Sequence, residues 1–120
     1  MSREEINNFE KCQSQIKSLH VEISILTRKS SNDALNKFKL KCVNQILLEA
    51  NEVMGKEYVP FSDFRQFDDN EVPTNSDVAM MLGQYLNCLE NYRSDNIEIR
   101  GALWYWKGTN DRTSRPNKLS

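Results

Sequence analysis

The sequence has few of the residues that carry metal or thiol chemistry. Its 120 residues include one histidine and three cysteines. Cys12, Cys42 and Cys88 stand far apart and form no C-x-x-C pair. The common structural zinc sites take four cysteine or histidine ligands at close, paired spacings, and the one histidine and three cysteines here stand singly, so the sequence predicts no metal and no cofactor. Isolated cysteines in odd number indicate reduced, buried side chains, and we therefore expect a cytoplasmic protein.

Long apolar runs and an excess of charge of one sign are absent as well. No apolar run approaches the roughly 20 residues of a membrane span, and the first residues show no secretory signal pattern. A net charge of −1 creates no overall field that would attract nucleic acid or an anionic membrane. The sequence also lacks a P-loop, a G-x-G-x-x-G turn and an EF-hand loop. We therefore expect no membrane contact and no catalytic site of these classes.

The clearest pattern present is a heptad spacing of apolar residues near the start of the chain. It predicts a helix over residues 3–28 that packs lengthwise on another helix, with Ser2 and Glu5 as a capping box at its start. Val21 and Ile25 make a second short stripe, so we expect the end of this helix to be buried more fully than its start. The residues of the heptad seam are Phe9, Cys12, Ile16, Leu19, Ile23 and Leu26.

Two further helices are predicted. Residues 34–54 carry apolar side chains on two sides, which indicates a central helix packed from both directions. A third helix starts near Asn75, where Thr74 and Asp77 form a capping pattern, and it ends near residues 94–96. We therefore predict a mainly α fold, a three-helix bundle with a long N-terminal helix.

The connection between the second and third predicted helices is acidic and aromatic. Residues 56–73 contain two prolines, which argues against one regular helix. Aromatic residues nevertheless recur there at steps of three, a spacing that fits one or two helical turns between Pro60 and Phe67. We expect this segment to be ordered and folded against the bundle. Its aromatic residues are Tyr58, Phe61, Phe64 and Phe67.

The C-terminal part of the chain allows two interpretations. Residues 97–107 alternate in the manner of a strand on both sides of Gly101, which favours a short hairpin or an extended segment. The alternative is that the helix continues through them. Residues 108–120 are polar and show no periodicity. We therefore expect a single helical domain over residues 1–107 followed by a mobile polar tail.

Large aromatic residues make protein–protein interaction the leading functional hypothesis. Such side chains are enriched where proteins meet partners, and in a strand Trp104 and Trp106 would point to the same side. We predict a small, non-catalytic protein that binds another protein, for example a phage or mobile-element inhibitor of a host or defence protein, an adaptor or an immunity protein. The predicted partner-binding residues are Phe64, Phe67, Asp68, Asp69, Trp104 and Trp106.

A nucleic-acid-binding regulator is the alternative function. Lys37, Lys39 and Lys41 gather near the start of the second helix, where they could contact phosphates together with basic residues of the tail. No aromatic side chain stands among the basic groups as a platform for bases, so nucleic acid is the less favoured partner. The basic tail residues are Arg112, Arg115 and Lys118.

A magnesium-dependent nucleotide hydrolase is the third hypothesis. Glu49 and Glu52 share one helix face, and this E-x-x-E pair resembles half of the magnesium-binding pattern of helical nucleotide pyrophosphohydrolases. The resemblance would imply a magnesium ion held by these carboxylates. The other half, E-x-x-D on the next helix, is missing, because the third helix offers only Asp77 and Glu90.

The length of the first helix predicts a homodimer. The heptad seam is longer than the second helix can cover, and a symmetric copy could cover the excess. We expect the N-terminal end of the seam, around Ile6 and Phe9, to contact the second copy. The one histidine, His20, flanks the seam and is expected on the helix surface without a catalytic role.

Overall fold

The computed structural model describes residues 1–117 as a three-helix bundle with a small antiparallel sheet at one end. The predicted mainly α fold with a long N-terminal helix and a C-terminal hairpin is confirmed. None of the helices in the described residues combines the length and the hydropathy of a membrane span. The elements are α1 (Arg3–Ser30), α2 (Lys37–Met54), α3 (Asn75–Asp95), β1 (Ile97–Arg100), β2 (Leu103–Trp106) and β3 (Arg112–Thr113).

Local capping chemistry sets where the helices begin. The predicted capping box is present at the start of α1, and Thr74 caps α3 by accepting a hydrogen bond from the first turn. α2 begins at Lys37, later than expected, because the side-chain oxygen of Asn36 accepts from two backbone N–H groups of its first turn. These acceptors satisfy backbone donors that have no partner inside a helix.

α1 is the central helix of the bundle. α2 and α3 both run antiparallel to it. In α3, Asn75 at the start donates to the Ser30 carbonyl, and Tyr92 near the end stacks on Phe9. In α2, Lys39 at the start pairs with Glu22 at 3.2 Å, and Glu49 lies near Cys12. α2 and α3 touch each other little, so the prediction that the second helix is central is wrong. The heptad seam faces its neighbours as predicted: Phe9, Cys12, Ile16 and Ile23 are buried, and Leu19 and Leu26 pack against the core.

The second apolar stripe of α1 lies outside the core. Val21 and Ile25 are 58% and 44% exposed, because they lie on the side of α1 that faces away from the seam. The prediction that they bury the end of this helix is therefore wrong. Phe38, at the start of α2, is an exposed apolar residue as well. Periodicity alone did not distinguish these solvent-facing side chains from core ones.

A tight turn joins β1 and β2. Gly101 has a positive φ of 65°, and Arg100 pairs with Leu103 across the turn. Glycine is the residue that a type II′ turn prefers at this first central position. The helical alternative for this segment is wrong.

The third strand lies in the segment for which the sequence indicated a mobile tail. β3 pairs with β2, and the side chain of Arg93 donates to the Thr113 hydroxyl and to the carbonyls of Ser114 and Arg115. Residues 108–117 therefore form a defined structure against α3 and the hairpin. Residues 118–120, with Lys118 among them, lie outside the described residues.

Candidate interaction surface

Two asparagines of α2 hold the connection between α2 and α3. The amide of Asn44 donates to the Phe67 carbonyl and accepts from the Phe67 N–H, both at 2.9 Å, as a neighbouring strand would. The amide of Asn51 donates to the Arg65 carbonyl at 2.9 Å and accepts from the Tyr85 hydroxyl at 2.6 Å. The connection is therefore ordered as predicted, although simple turns replace the expected helical turns.

The fold uses part of the aromatic and acidic surface that was predicted to bind a partner. Phe64 and Phe67 are half-buried, and their rings pack edge to face with centroids 5.1 Å apart. Asp68 and Asp69 are exposed, but Asp69 also accepts a hydrogen bond from the Asn44 amide at 3.2 Å. The connection therefore offers a partner less free aromatic surface than its composition indicated.

We expect Asn44→Asp to loosen the connection while the helices stay folded. The new carboxylate cannot donate to the Phe67 carbonyl, and it stands beside Asp69. Loss of a buried hydrogen-bond donor costs about 1–3 kcal/mol. Hydrogen exchange followed by mass spectrometry should show faster exchange around residue 67 and little change in α1. The exposed neighbour variant Gln45→Glu makes the same charge change, and equal exchange in both variants would contradict this account.

A cleft of about 420 Å³ lies between the end of α2 and the connection. Val59 and Phe64 give it an apolar floor, and Glu52 pairs with Arg65 at 3.9 Å. Both of these charged side chains are exposed, so their pairing is weak and the charges largely compensate each other. The cleft has the size of a small-ligand site but no strongly held ionic group.

The two tryptophans of the hairpin have different surroundings. Trp106 is 1% exposed, and its ring meets that of Phe9 edge to face at 5.2 Å, so the prediction that it contacts a partner is wrong. Trp104 lies on the same face of the sheet and is half-buried. Along that face exposure rises from 4% at Ile97 to 55% at Ile99. The apolar face of the hairpin therefore extends beyond the surface that the helices cover.

β1 is an edge of the sheet. The strand order is β1-β2-β3, so only β2 pairs with β1 in the described part of the chain. The Lys107 N–H donates to the Asn96 carbonyl at 2.9 Å, and hydrogen-bonded pairs alternate along an antiparallel ladder. The backbone N–H and C=O groups of Ile97 and Ile99 therefore point away from β2. Ile97 is buried, so the open part of this edge lies at Ile99.

The other face of β1 carries one charge of each sign. Glu98 and Arg100 alternate with the isoleucines, and the Arg100 Nε lies 3.7 Å from the Glu98 carboxylate. The Arg100 guanidinium also lies 4.0 Å from the centre of the Tyr105 ring and contacts the Thr109 carbonyl. Both charged side chains remain partly exposed. β1 therefore presents acid, apolar and basic side chains in succession at an open edge.

The basic residues of the nucleic-acid hypothesis lie at opposite ends of the molecule. Lys37 and Lys41 are exposed at the start of α2, and Lys39 is held in its ion pair with α1. Arg112 belongs to β3 and Arg115 follows that strand, at the far end of a molecule 49 Å long. The structure therefore does not join these predicted basic groups into one patch.

Glu49 and Glu52 lie on the exposed side of α2. Glu52 pairs with Arg65, and Glu49 lies close to Cys12. Burial, with a smaller effect of the Glu49 carboxylate, raises the pKa of the Cys12 thiol to about 12. Over residues 1–117, no three side chains of histidine, cysteine, aspartate or glutamate gather so that they could hold a metal ion.

Ile6 and Phe9, the predicted contacts with a second copy, are buried within the chain. The Phe9 ring stacks on Tyr92 at 5.6 Å and meets Trp106 at 5.2 Å. α3 and the hairpin therefore cover the end of the seam that was expected to need a second chain. The prediction that these two residues form a dimer contact is wrong.

The sequence did not reveal the most exposed apolar residues of the hairpin, Ile99 and Leu103, as interaction residues. The alternation of Ile99 with Glu98 and Arg100 was visible, but the exposure of Ile99 depends on how far the bundle extends beneath the sheet. It also did not reveal the pair Asn44 and Asn51. Their seven-residue spacing places both amides on one face of α2, and this spacing in the sequence could have indicated a polar contact there.

Comparisons with protein-family models, with curated proteins and with solved structures find no match for this chain. The open edge of β1 and the exposed end of the hairpin are the structural features on which a functional proposal can be based.

Proposed function

We propose that this protein is a small, non-catalytic interaction protein that binds an extended segment of a partner protein along β1. The observation that carries the proposal is the open edge of β1, where outward-facing backbone groups stand beside exposed apolar side chains. An edge of this kind is a template for an added strand. Backbone hydrogen bonds then supply affinity, and alternate side chains supply specificity.

The side chains around this edge support the proposal. Ile99 is 55% exposed, and Trp104 lies directly across from it on β2. Leu103, at 38% exposure, presents apolar surface on the opposite face of the hairpin. A strand added to β1 would cover Ile99 and enclose Trp104 further, which removes apolar surface from water. Binding at this edge therefore combines hydrogen bonding with apolar burial.

The size and layout of the chain favour action by occlusion or bridging. A chain of 14.0 kDa that carries its contact surface at one end can cover a site on a larger protein. A phage or mobile-element inhibitor of a host or defence protein, an adaptor and an immunity protein all act in this way. The three free cysteines are consistent with the reducing cytoplasm, which we propose as the location.

We expect Ile99→Pro to abolish partner binding while the hairpin stays folded. Proline at this position removes an N–H that points away from β2, and edge strands tolerate proline there. Tagged wild-type and variant chains are incubated with extract of the native host, supplemented with an untagged copy of the chain, and the bound proteins are identified by mass spectrometry. After mild chemical crosslinking, which retains weak complexes, the wild type should hold a partner that the variant loses.

Ile99→Thr is the matched control for this experiment. Threonine keeps the backbone N–H and the β-branched shape but shortens the apolar side chain, so it should weaken binding less than proline does. Circular dichroism reports whether each variant keeps its fold. If Ile99→Pro retains every bound protein at wild-type levels, the proposed use of the β1 edge is wrong.

A further inference from the structure

We infer that the strand bound at the edge of β1 is β1 of a second copy of this chain, so that two three-stranded sheets join across a two-fold axis. This inference rests on the proposed use of that edge. The axis would pass beside Ile99, whose backbone N–H and C=O point outward. Ile99 of each copy would then donate to, and accept from, Ile99 of the other, as a hydrogen-bonded antiparallel pair does.

The charges of β1 select this register. In a two-fold antiparallel pairing centred on Ile99, Glu98 of each copy lies opposite Arg100 of the other. A pairing centred on residue 98 would place Glu98 opposite Glu98, and one centred on residue 100 would place Arg100 opposite Arg100. Opposite charges directly across two strands stabilise the pairing, and like charges destabilise it. β1 is therefore complementary to itself in one register and repels itself in the adjacent two.

The apolar face of the sheet agrees with the same register. The two Ile99 side chains would meet directly at the axis, each flanked by Trp104 of its own copy. Ile99 is the most exposed isoleucine of the chain's described part, so its burial against an identical side chain removes water-exposed apolar surface. Pairing at this edge therefore satisfies backbone, charge and apolar groups together.

The interface is small, which sets the strength expected of it. Two strands of four residues bury well under the roughly 1,200 Å² of the smallest stable interfaces. We therefore expect a dimer that forms only at about 100 µM or above and dissociates on dilution. Because the charge pairs stay near solvent, added salt should weaken it further.

Two charge variants and their mixture test the inference on the full chain. Glu98→Arg places arginines opposite each other at both ends of the pairing, and Arg100→Glu does the same with glutamates. Symmetry makes each change act twice, so each variant alone should dimerise about tenfold more weakly than wild type. An equimolar mixture restores opposite charges at both positions. Sedimentation equilibrium at about 100 µM and low salt should therefore show dimers in the mixture and monomers in each variant alone.

Cysteine variants test the register. Ile99→Cys should form a disulfide-linked dimer under mild oxidation, because Cα atoms of a hydrogen-bonded pair lie about 5.5 Å apart, within disulfide range. Glu98→Cys is the matched control, since the two residues 98 would lie about 8 Å apart in this register. The wild-type chain, with its three free cysteines, gives the background.

Two results would overturn the inference. One is a wild-type chain that stays monomeric throughout, and the other is a mixture of the charge variants that dimerises no better than either alone. If either result is found and the pull-down shows that Ile99→Pro loses a different protein that the wild type binds, the edge binds a heterologous strand and the proposed function stands. If Ile99→Pro binds the same proteins as the wild type, the proposed function fails as well.

Discussion

Replacement of Trp106 by alanine is expected to lower the free energy of unfolding by about 3–5 kcal/mol, the range for large aromatic residues removed from a core. Trp106 is 1% exposed and packs on Phe9 where the sheet meets α1. Its removal would leave a cavity that the short strands and the end of α1 cannot close. Domains of this size are stable by only about 5–15 kcal/mol, so urea unfolding should show a large fall in midpoint.

Trp104→Ala is the matched control, because it removes the same side chain from the same face of the same strand. Trp104 is half-buried, so less apolar area returns to water and the loss should be about half as large. The two variants separate a core role from a surface role for the two tryptophans. Equal losses of stability in both would contradict the burial that distinguishes them.

Local patterns of the sequence predicted the helices well. The heptad seam of α1 and the capping residues at Ser2 and Thr74 act within one or two turns of chain, so the neighbouring residues define them. The hairpin was indicated by alternation around Gly101 in the same way. Features that depend on short sequence distances were therefore predictable without the fold.

Features that depend on distant parts of the chain were not predictable. Alternation showed that Trp104 and Trp106 share a face, but only the position of the bundle decides which of them is covered. The same applies to Val21 and Ile25, whose stripe meets no neighbouring helix. The connection shows a further limit, because the amide of Asn44 replaces the helical turn that the aromatic spacing indicated.

Arg93→Met is expected to lower the free energy of unfolding by about 3–5 kcal/mol, the range for breaking a buried ion pair by removal of one partner. Arg93 is 4% exposed and binds the Glu90 carboxylate through two hydrogen bonds of 2.8 Å. It also donates to carbonyls of Ser114 and Arg115, which it holds against α3. Methionine fills a similar volume but leaves the carboxylate and both carbonyls without this donor.

A double variant separates the charge from the packing. Glu90→Leu with Arg93→Met removes the unpaired carboxylate as well, and it should be more stable than Arg93→Met alone. Hydrogen exchange should show that the strand at Arg112–Thr113 opens in the single variant. Equal stability of single and double variants would mean that Arg93 acts through the carbonyls alone.

The pH dependence of the same pair gives an independent check. Burial tends to raise the pKa of Glu90, but hydrogen bonds from Arg93 and from the Asn117 backbone N–H outweigh it and hold the pKa below its usual 4.5. A carboxylate with a lowered folded-state pKa stabilises the protein above about pH 4.5, and this contribution is lost as the pH falls through the folded-state value. Without Arg93, burial is opposed mainly by the Asn117 hydrogen bond, and the Glu90 pKa should rise. The stability difference between wild type and Arg93→Met should therefore be largest at neutral pH and narrow on acidification, and a difference independent of pH would contradict the ionic role of the pair.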